Sequence, residues 1–300
     1  MWEASSAAQR VLETADRATG MSLKQVCFEG PPDRLTDTAF AQPAVVAVSL
    51  AAAAALDERL ASRGLRIAPA LCAGHSVGEL AAVAYSGAVS LEKGIELVSA
   101  RGSAMADASA VADGSMSAVI GLDEGPLVQV CMQASSETGA SVQVANLNAP
   151  GQIVISGNRR ALERAGELAR EAGARRIVSL DVSGPFHSVY MQPAADLFRS
   201  SLDQARLSSP SVPVVLNVTA QTSTDPVELR HELLTQVTSP VRWADSVQTM
   251  WDKSCTVFVE LGQGQVLGGL IKRIVKGATV MHVEDERSLD ETTAALAQLL

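Results

Sequence analysis

One short stretch limits the possible folds more than any other. The apolar run IAPALCAG (67–74) passes without a spacer into the turn Gly74-His75-Ser76-Val77-Gly78, and that turn passes directly into VGELAAVAYSGA (77–88), a helix of small residues. An apolar strand that feeds straight into a small-residue helix suits a buried strand in a sheet covered by helices. The rest of the chain agrees. Helical and apolar extended segments alternate, with VPVVLNV, TVFVELG and ATVMHV as strands and PVELRHELLTQV, RWADSVQTMWDK and QVLGGLIKRIVKG as helices among them. Alternation of this kind implies a mostly parallel sheet.

The pattern changes between Asp113 and Val182. MSAVIGL, VQVANLN, QIVISG and RRIVSLDV are short strands, separated by the helical segments EGPLVQVCMQASSETG and RRALERAGELAREAG. A β-α-β-β-α-β order over roughly 70 residues predicts a ferredoxin-like α+β unit. We therefore expect an α/β fold in which 1–112 and 183–300 form one α/β-hydrolase-like domain and 113–182 is a small domain inserted into it. Ser5 or Ser6 is expected to cap a first helix, and Glu29–Gln42 to form a loop before a buried helix at Pro43–Leu56.

Composition narrows the function classes. With 47% hydrophobic residues the chain can fill a large core, and with only 3% aromatics it has little with which to stack bases. A net charge of −9 argues against nucleic acid as a partner. Four scattered cysteines without a CxxC pair fit reduced thiols of a cytoplasmic protein and make a zinc site improbable. The apolar run at 43–56 is shorter than the ~20 residues a bilayer requires, so no membrane partner is expected. The first twenty residues lack the pattern of a secretory signal.

A Gly-x-Ser-x-Gly turn between a strand and a helix is a nucleophile elbow, which exposes the serine hydroxyl at a helix N-terminus. There the Val77 N–H can donate to an oxyanion and the helix dipole favours the negative charge. Five common residues also arise by chance in such a chain; the flanking strand and helix favour a nucleophile at Ser76. Its base must come from His75, His187, His231 or His282. His75 adjoins the serine and suits a structural or pocket-lining role. His231 sits among charges on a helix, and His282 ends a strand. His187, in SGPFHS, lies in a loop at the seam between the two domains, where it can act as the base or cap the helix that follows. No aspartate stands out as a third member, so a backbone carbonyl is left to orient the imidazole.

Six segments in order, GHSVGELAAVAYSGAVS, ARGSAM, NLNAPGQIVISG, SGPFHS, TSPVRW and ELGQGQVLGGLIKRI, resemble the malonyl-CoA:acyl carrier protein transacylases of bacterial fatty acid synthesis. Acyltransferase domains of polyketide synthases are similar. The resemblance implies a ping-pong transfer of malonyl from malonyl-CoA to the phosphopantetheine thiol of acyl carrier protein, with no cofactor of the enzyme's own. It makes Ser76 the acylated residue, His187 the base and Arg101 the partner of the malonyl carboxylate. It gives Gln236 a main-chain role in orienting the histidine, and places Phe186, His75 and Met105 beside the acyl group. A bidentate guanidinium suits the free carboxylate of a dicarboxylic acyl group. Since carrier proteins are acidic, Lys272, Arg273 and Lys276, or Arg159 and Arg160, are candidate docking cations, each also readable as an ordinary solvated helix face.

The family's opening strand and its GQGSQ-type loop, whose glutamine supplies a second oxyanion N–H, have no counterpart in this sequence. The expectation is a gap in the sheet and one donor fewer. Three other functions stay open at this stage: a serine thioesterase or hydrolase, a trans-acting polyketide acyltransferase, and a weakly active carrier-binding relative. A monomer is expected.

Overall fold

A computed structural model describes residues 5–299; residues 1–4 and 300 of the expected large domain lie outside the described residues. The chain opens with helices α1 (Ser6–Thr19) and α2 (Leu23–Glu29), a 3-10 turn at Pro32–Thr36, and the long helix α3 (Thr38–Ala61). Strand β1 (Cys72–Ala73), helix α4 (Gly78–Tyr85) and helix α5 (Leu91–Val111) follow. Next come β2 (Gly114–Ile120), α6 (Glu124–Thr138), β3 (Val142–Ala149), β4 (Gln152–Asn158), α7 (Arg159–Glu171) and β5 (Arg176–Ser179). The remainder is α8 (Gln192–Gln204), β6 (Val214–Val215), β7 (Thr222–Ser223), α9 (Pro226–Thr235), α10 (Trp243–Asp252), β8 (Val257–Leu261), α11 (Val266–Ile274), β9 (Thr279–Val283) and α12 (Glu286–Ala297).

The N-terminal region differs from expectation in two ways. The segment expected as a loop at 29–42 holds the 3-10 turn in its middle, and α3 already starts at Thr38, where the Asp37 carboxylate caps the Ala39 N–H. The helix α2 was not expected at all. At 24 residues, α3 is long and apolar enough to cross a membrane, but two thirds of its most apolar window is buried against its neighbours. It packs mainly on α5 and α1, with Phe40, Val46, Ala47, Ala52 and Ala55 in one core together with Leu12, Ile95, Leu97 and Phe198. Alanine dominates these contacts, and its small side chain lets helix backbones approach closely.

From β2 to β5 the chain forms a four-stranded antiparallel sheet in the order β3-β4-β2-β5. The β3–β4 hairpin turns at Pro150-Gly151, with Gly151 at φ +66°. Helices α6 and α7 cover one face of the sheet with a core of their own, which includes Leu127, Ile153, Ile155 and Leu168. The other face presents Met116, Ala145 and Val154, against which Phe186 packs. The β3 edge is not free: Leu147 N–H donates to Val241 O (2.8 Å) and Val241 N–H to Ala145 O (2.9 Å), which ties the small sheet to the segment before α10.

The other strands form a sheet in two pieces, β1-β6-β7 and β8-β9. The pairs β1–β6 and β8–β9 are parallel, whereas β6–β7 is antiparallel. Among the described residues no ladder joins β1 to β8. Both line one cavity of about 1280 Å³, along with apolar side chains of α3 and α11. The strands at this position are short for the same reason: a segment is a strand only where a neighbour takes its hydrogen bonds. The expected run of eight residues before the elbow is thus a two-residue strand.

Candidate active site

The elbow is tightly built around one glycine. A Cβ on Gly74 would stand 1.9 Å from Gly78 O, so nothing larger fits there, whereas a Cβ on Gly78 would meet nothing within 4 Å. The positive φ of the turn falls on Ser76 itself, at +53°. A non-glycine residue rarely adopts this conformation, and here it presents the hydroxyl at the start of α4. Asn217, just after β6, clasps the turn: its Oδ1 accepts from Ser76 N–H (2.7 Å), and its Nδ2 donates to Gly74 O (2.8 Å). The next amide, Val77 N–H, makes no hydrogen bond among the described residues.

His187 comes from the loop between β5 and α8, also at positive φ (+56°). Gly184 lets that loop pass over α5, because a Cβ there would lie 2.1 Å from Ser109 Oγ. Gln143 of β3 pins the loop by donating to His187 O (3.2 Å) and accepting from Val189 N–H (3.2 Å). The imidazole is 3% exposed. Its Nδ1 lies 2.9 Å from Gln236 O, and its Nε2 lies 2.7 Å from Ser76 Oγ. A carbonyl only accepts, so Nδ1 carries the proton and Nε2 is left as the acceptor for the serine hydroxyl. Burial and the nearby Arg101 cation push the imidazole pKa down to about 3, which keeps the ring neutral.

Arg101 is buried, not an exposed helix arginine, with 2% of its surface accessible. Its Nη2 donates to Ser76 Oγ (3.3 Å) and to Gln236 Oε1 (2.8 Å), and its Nη1 donates to Gln42 Oε1 (2.5 Å). Burial lowers its pKa to about 10, opposed by the Glu79 charge, and the guanidinium stays protonated at neutral pH. Gln236 thus contributes at both ends, through its carbonyl to His187 and through its side chain to Arg101 and to Ser76 O (2.9 Å).

The other expected residues lie around this centre. His75 is 2.8 Å from Asn148 Oδ1 through Nε2, its ring centroid is 5.6 Å from that of Trp243, and burial lowers its pKa. Phe186 packs half-buried between the main core and the open face of the small sheet. Met105 is buried beneath Gln42, whose Nε2 is 3.4 Å from its sulfur. His231 is exposed on α9 and His282 lies on β9 near Glu284, so neither joins the centre. Lys272, Arg273 and Lys276 are exposed around the end of α11, with Arg273 bonded to Gln152 of the small sheet. Arg159 pairs with Asp113 (3.4 Å).

Gln42, Glu79 and Asn217 are the residues that sequence reading missed. Two of them carried a faint signal. Gln42 and Glu79 are lone polar groups in otherwise apolar helical runs, and a buried polar group in such a run needs a partner. Asn217 gave none beyond its place at a strand end.

The acyl transferase domain family matches residues 2–288. The chain belongs to that family. The malonyl CoA-acyl carrier protein transacylase of Bacillus subtilis is 38% identical over 290 residues, which is 97% of this chain and 89% of that protein. The Escherichia coli K12 protein of the same name is 36% identical over 275 residues, 92% of this chain and 87% of its own length. Among solved structures, acyl-carrier-protein-S-malonyltransferase from Bartonella henselae superposes with a TM-score of 0.91 at 39% identity, covering 98% of this chain and 93% of that one. A malonyl-transacylase in complex with a type II polyketide acyl-carrier protein superposes with a TM-score of 0.91 at 34% identity, with 98% and 93% coverage. Of the six segments that carried the resemblance, ARGSAM and SGPFHS bring Arg101 and His187 to Ser76, NLNAPGQIVISG brings Asn148 to His75, and TSPVRW supplies the bridge to β3 and the indole against His75.

Proposed function

We propose that the chain moves a malonyl group from malonyl-CoA to the phosphopantetheine thiol of an acyl carrier protein, through an ester on Ser76. The observation that carries this reading is the position of Arg101 Nη2, a buried cation 3.3 Å from the oxygen that would bear the acyl group. A carboxylate one methylene beyond an ester carbonyl on that oxygen can fold back to the guanidinium, and an acetyl group has nothing to place there. The names of the relatives agree with this choice of substrate.

In the first half-reaction His187 Nε2 takes the Ser76 proton as Oγ attacks the thioester carbonyl, and Val77 N–H donates to the oxyanion at the head of α4. The C–S bond then breaks, and the proton passes from His187 to the CoA sulfur. In the second, Nε2 takes the proton of the carrier thiol, whose sulfur attacks the malonyl ester, and the proton returns to Ser76 Oγ as the C–O bond breaks. We assign Gln236 O as the group that holds the histidine tautomer, and His75, Phe186 and Met105 as the surroundings of the acyl group.

We further read the chain as an α/β-hydrolase-like domain (1–112 and 183–300) carrying a ferredoxin-like insertion (113–182). It works as a cytoplasmic monomer, with Lys272, Arg273 and Lys276 as docking cations for an acidic carrier. Fatty acid synthesis is the pathway this reading serves. A type II polyketide carrier is the alternative acceptor, favoured by the likeness to the complex with such a carrier.

Intact-mass spectrometry after mixing with malonyl-CoA tests the reading. A malonyl adduct is expected on Ser76, lost in Ser76→Ala and discharged by added holo carrier protein. A folded sample that forms no adduct would refute the transfer, and release of free malonate at the same rate without carrier would point to a hydrolase.

A further inference from the structure

The elbow holds one charge that the transfer leaves without a role. Glu79, three residues after Ser76, has no exposed surface and sits in α4 among Leu80, Ala82 and Val83. A carboxyl buried this deeply is costly unless its oxygens are satisfied, so its partners indicate its purpose. Oε1 accepts from Asn217 N–H (3.0 Å), and Oε2 accepts from Gln236 Nε2. On its other side Glu79 feels the charge of Glu232 of α9, whose Oε1 accepts from Val218 N–H (2.6 Å). Burial raises both carboxyl pKa values, Glu232 to about 7, and the charge of Glu232 raises that of Glu79 further.

That arrangement dictates how Gln236 points. Glu79 Oε2 accepts, so the Gln236 amide must turn its NH₂ toward Glu79 and its oxygen toward Arg101. The reverse orientation would set two oxygens against each other at Glu79 and a nitrogen donor against the guanidinium. With the amide oxygen held at 2.8 Å from Arg101 Nη2, the same nitrogen is kept 3.3 Å from Ser76 Oγ.

We propose that Glu79, backed by Glu232, is a positioning residue for acyl selection: it fixes the orientation of the Gln236 amide and thereby aims Arg101 at the acyl group on Ser76. This rests on the malonyl-transfer reading and adds a residue that acts only through another. In Glu79→Gln the new NH₂ must face either Asn217 N–H or Gln236 NH₂, and the conflict is relieved when Gln236 turns over and presents a donor to Arg101.

The test is the rate of Ser76 loading from malonyl-CoA and from acetyl-CoA, read by mass spectrometry in four proteins: wild type, Glu79→Gln, Arg101→Ala and the double variant. Glu79→Gln should lower the malonyl-to-acetyl ratio about tenfold, mainly through a higher KM for malonyl-CoA, as loss of one charge-assisted contact implies. In the Arg101→Ala background the same change should leave the ratio where Arg101→Ala alone puts it. Parallel losses for the two substrates, or effects that multiply in the double variant, would overturn the proposal. Wild type that loads neither substrate would instead refute the transfer reading itself. Should Glu79→Gln not fold, Gln236→Met carries the same test, since it removes the amide that Glu79 orients and leaves the carbonyl that holds His187; a ratio equal to wild type there would also overturn it.

Discussion

Ser76 and His187 share an uncommon property: both are non-glycine residues held at positive φ, +53° and +56°. Each such residue costs of order 1 kcal/mol or more and persists only where its surroundings over-determine it. Here Asn217 holds the first and Gln143 with Gln236 the second. The buried titratable groups give this centre opposing responses to pH. His187 is depressed from 6.5 to about 3, so as pH falls through that window the unfolded chain gains a proton that the folded one refuses, and stability drops. Glu232 is raised from 4.5 to about 7, so its contribution is full below 4.5 and is lost as pH rises through 7. In Glu232→Gln, the fall in urea midpoint between about pH 5 and 8 should therefore be shallower than in wild type; parallel curves would contradict the assignment. The sequence made Ser76, His187, Arg101 and Gln236 recognisable because motifs surround them. It hid Gln42, Glu79 and Asn217, whose roles depend on bonds between α3, α4 and the end of β6 that no local pattern encodes.

Among the elements, the strand–elbow–helix unit makes the sharpest distinction, because its two glycines do different work. Gly74→Ala must open the turn, since its Cβ would lie 1.9 Å from Gly78 O. That variant should lose Ser76 acylation and a large part of its thermal stability. Gly78→Ala meets nothing within 4 Å in the first turn of α4 and should raise stability by about 0.5–1 kcal/mol, as glycine-to-alanine changes in helices do. Thermal unfolding of the two variants side by side checks both. Helices α7 and α10 were legible nearly to the residue, and β3 and β4 as neighbouring strands. The strands around the elbow were not. IAPALCAG and VPVVLNV have the composition of longer strands but form ladders of only two residues each, because ladder length depends on the neighbour and not on the segment. Helix α2, a seven-residue helix ahead of the Pro-rich stretch, falls below the length at which periodicity is informative.

At the scale of the whole molecule, the small sheet is tied to the rest of the chain at several points, and the candidate site is one of them. His187 is held by Gln143 of the small sheet, His75 contacts Asn148 of the same sheet, and Val241 is bonded to its edge strand. A movement of the small sheet therefore shifts His187 and His75 together. The divided main sheet has a different consequence. Because β8–β9 is linked to β1–β6 by side chains alone, without a backbone ladder among the described residues, the β8–β9 half is expected to share less of the sheet's cooperativity. It should open as its own unit at a free energy below that of global unfolding. Native-state hydrogen exchange is expected to show the amides of β8 and β9 exchanging well before those of α3 and α5, and equal protection in both sets would mean that the packing of α11 and α12 alone binds the halves into one. On this view the Ser76–His187 pair, held by Asn217 after β6, Gln143 of the small sheet and Gln236 after α9, stays assembled while the other half of the sheet breathes.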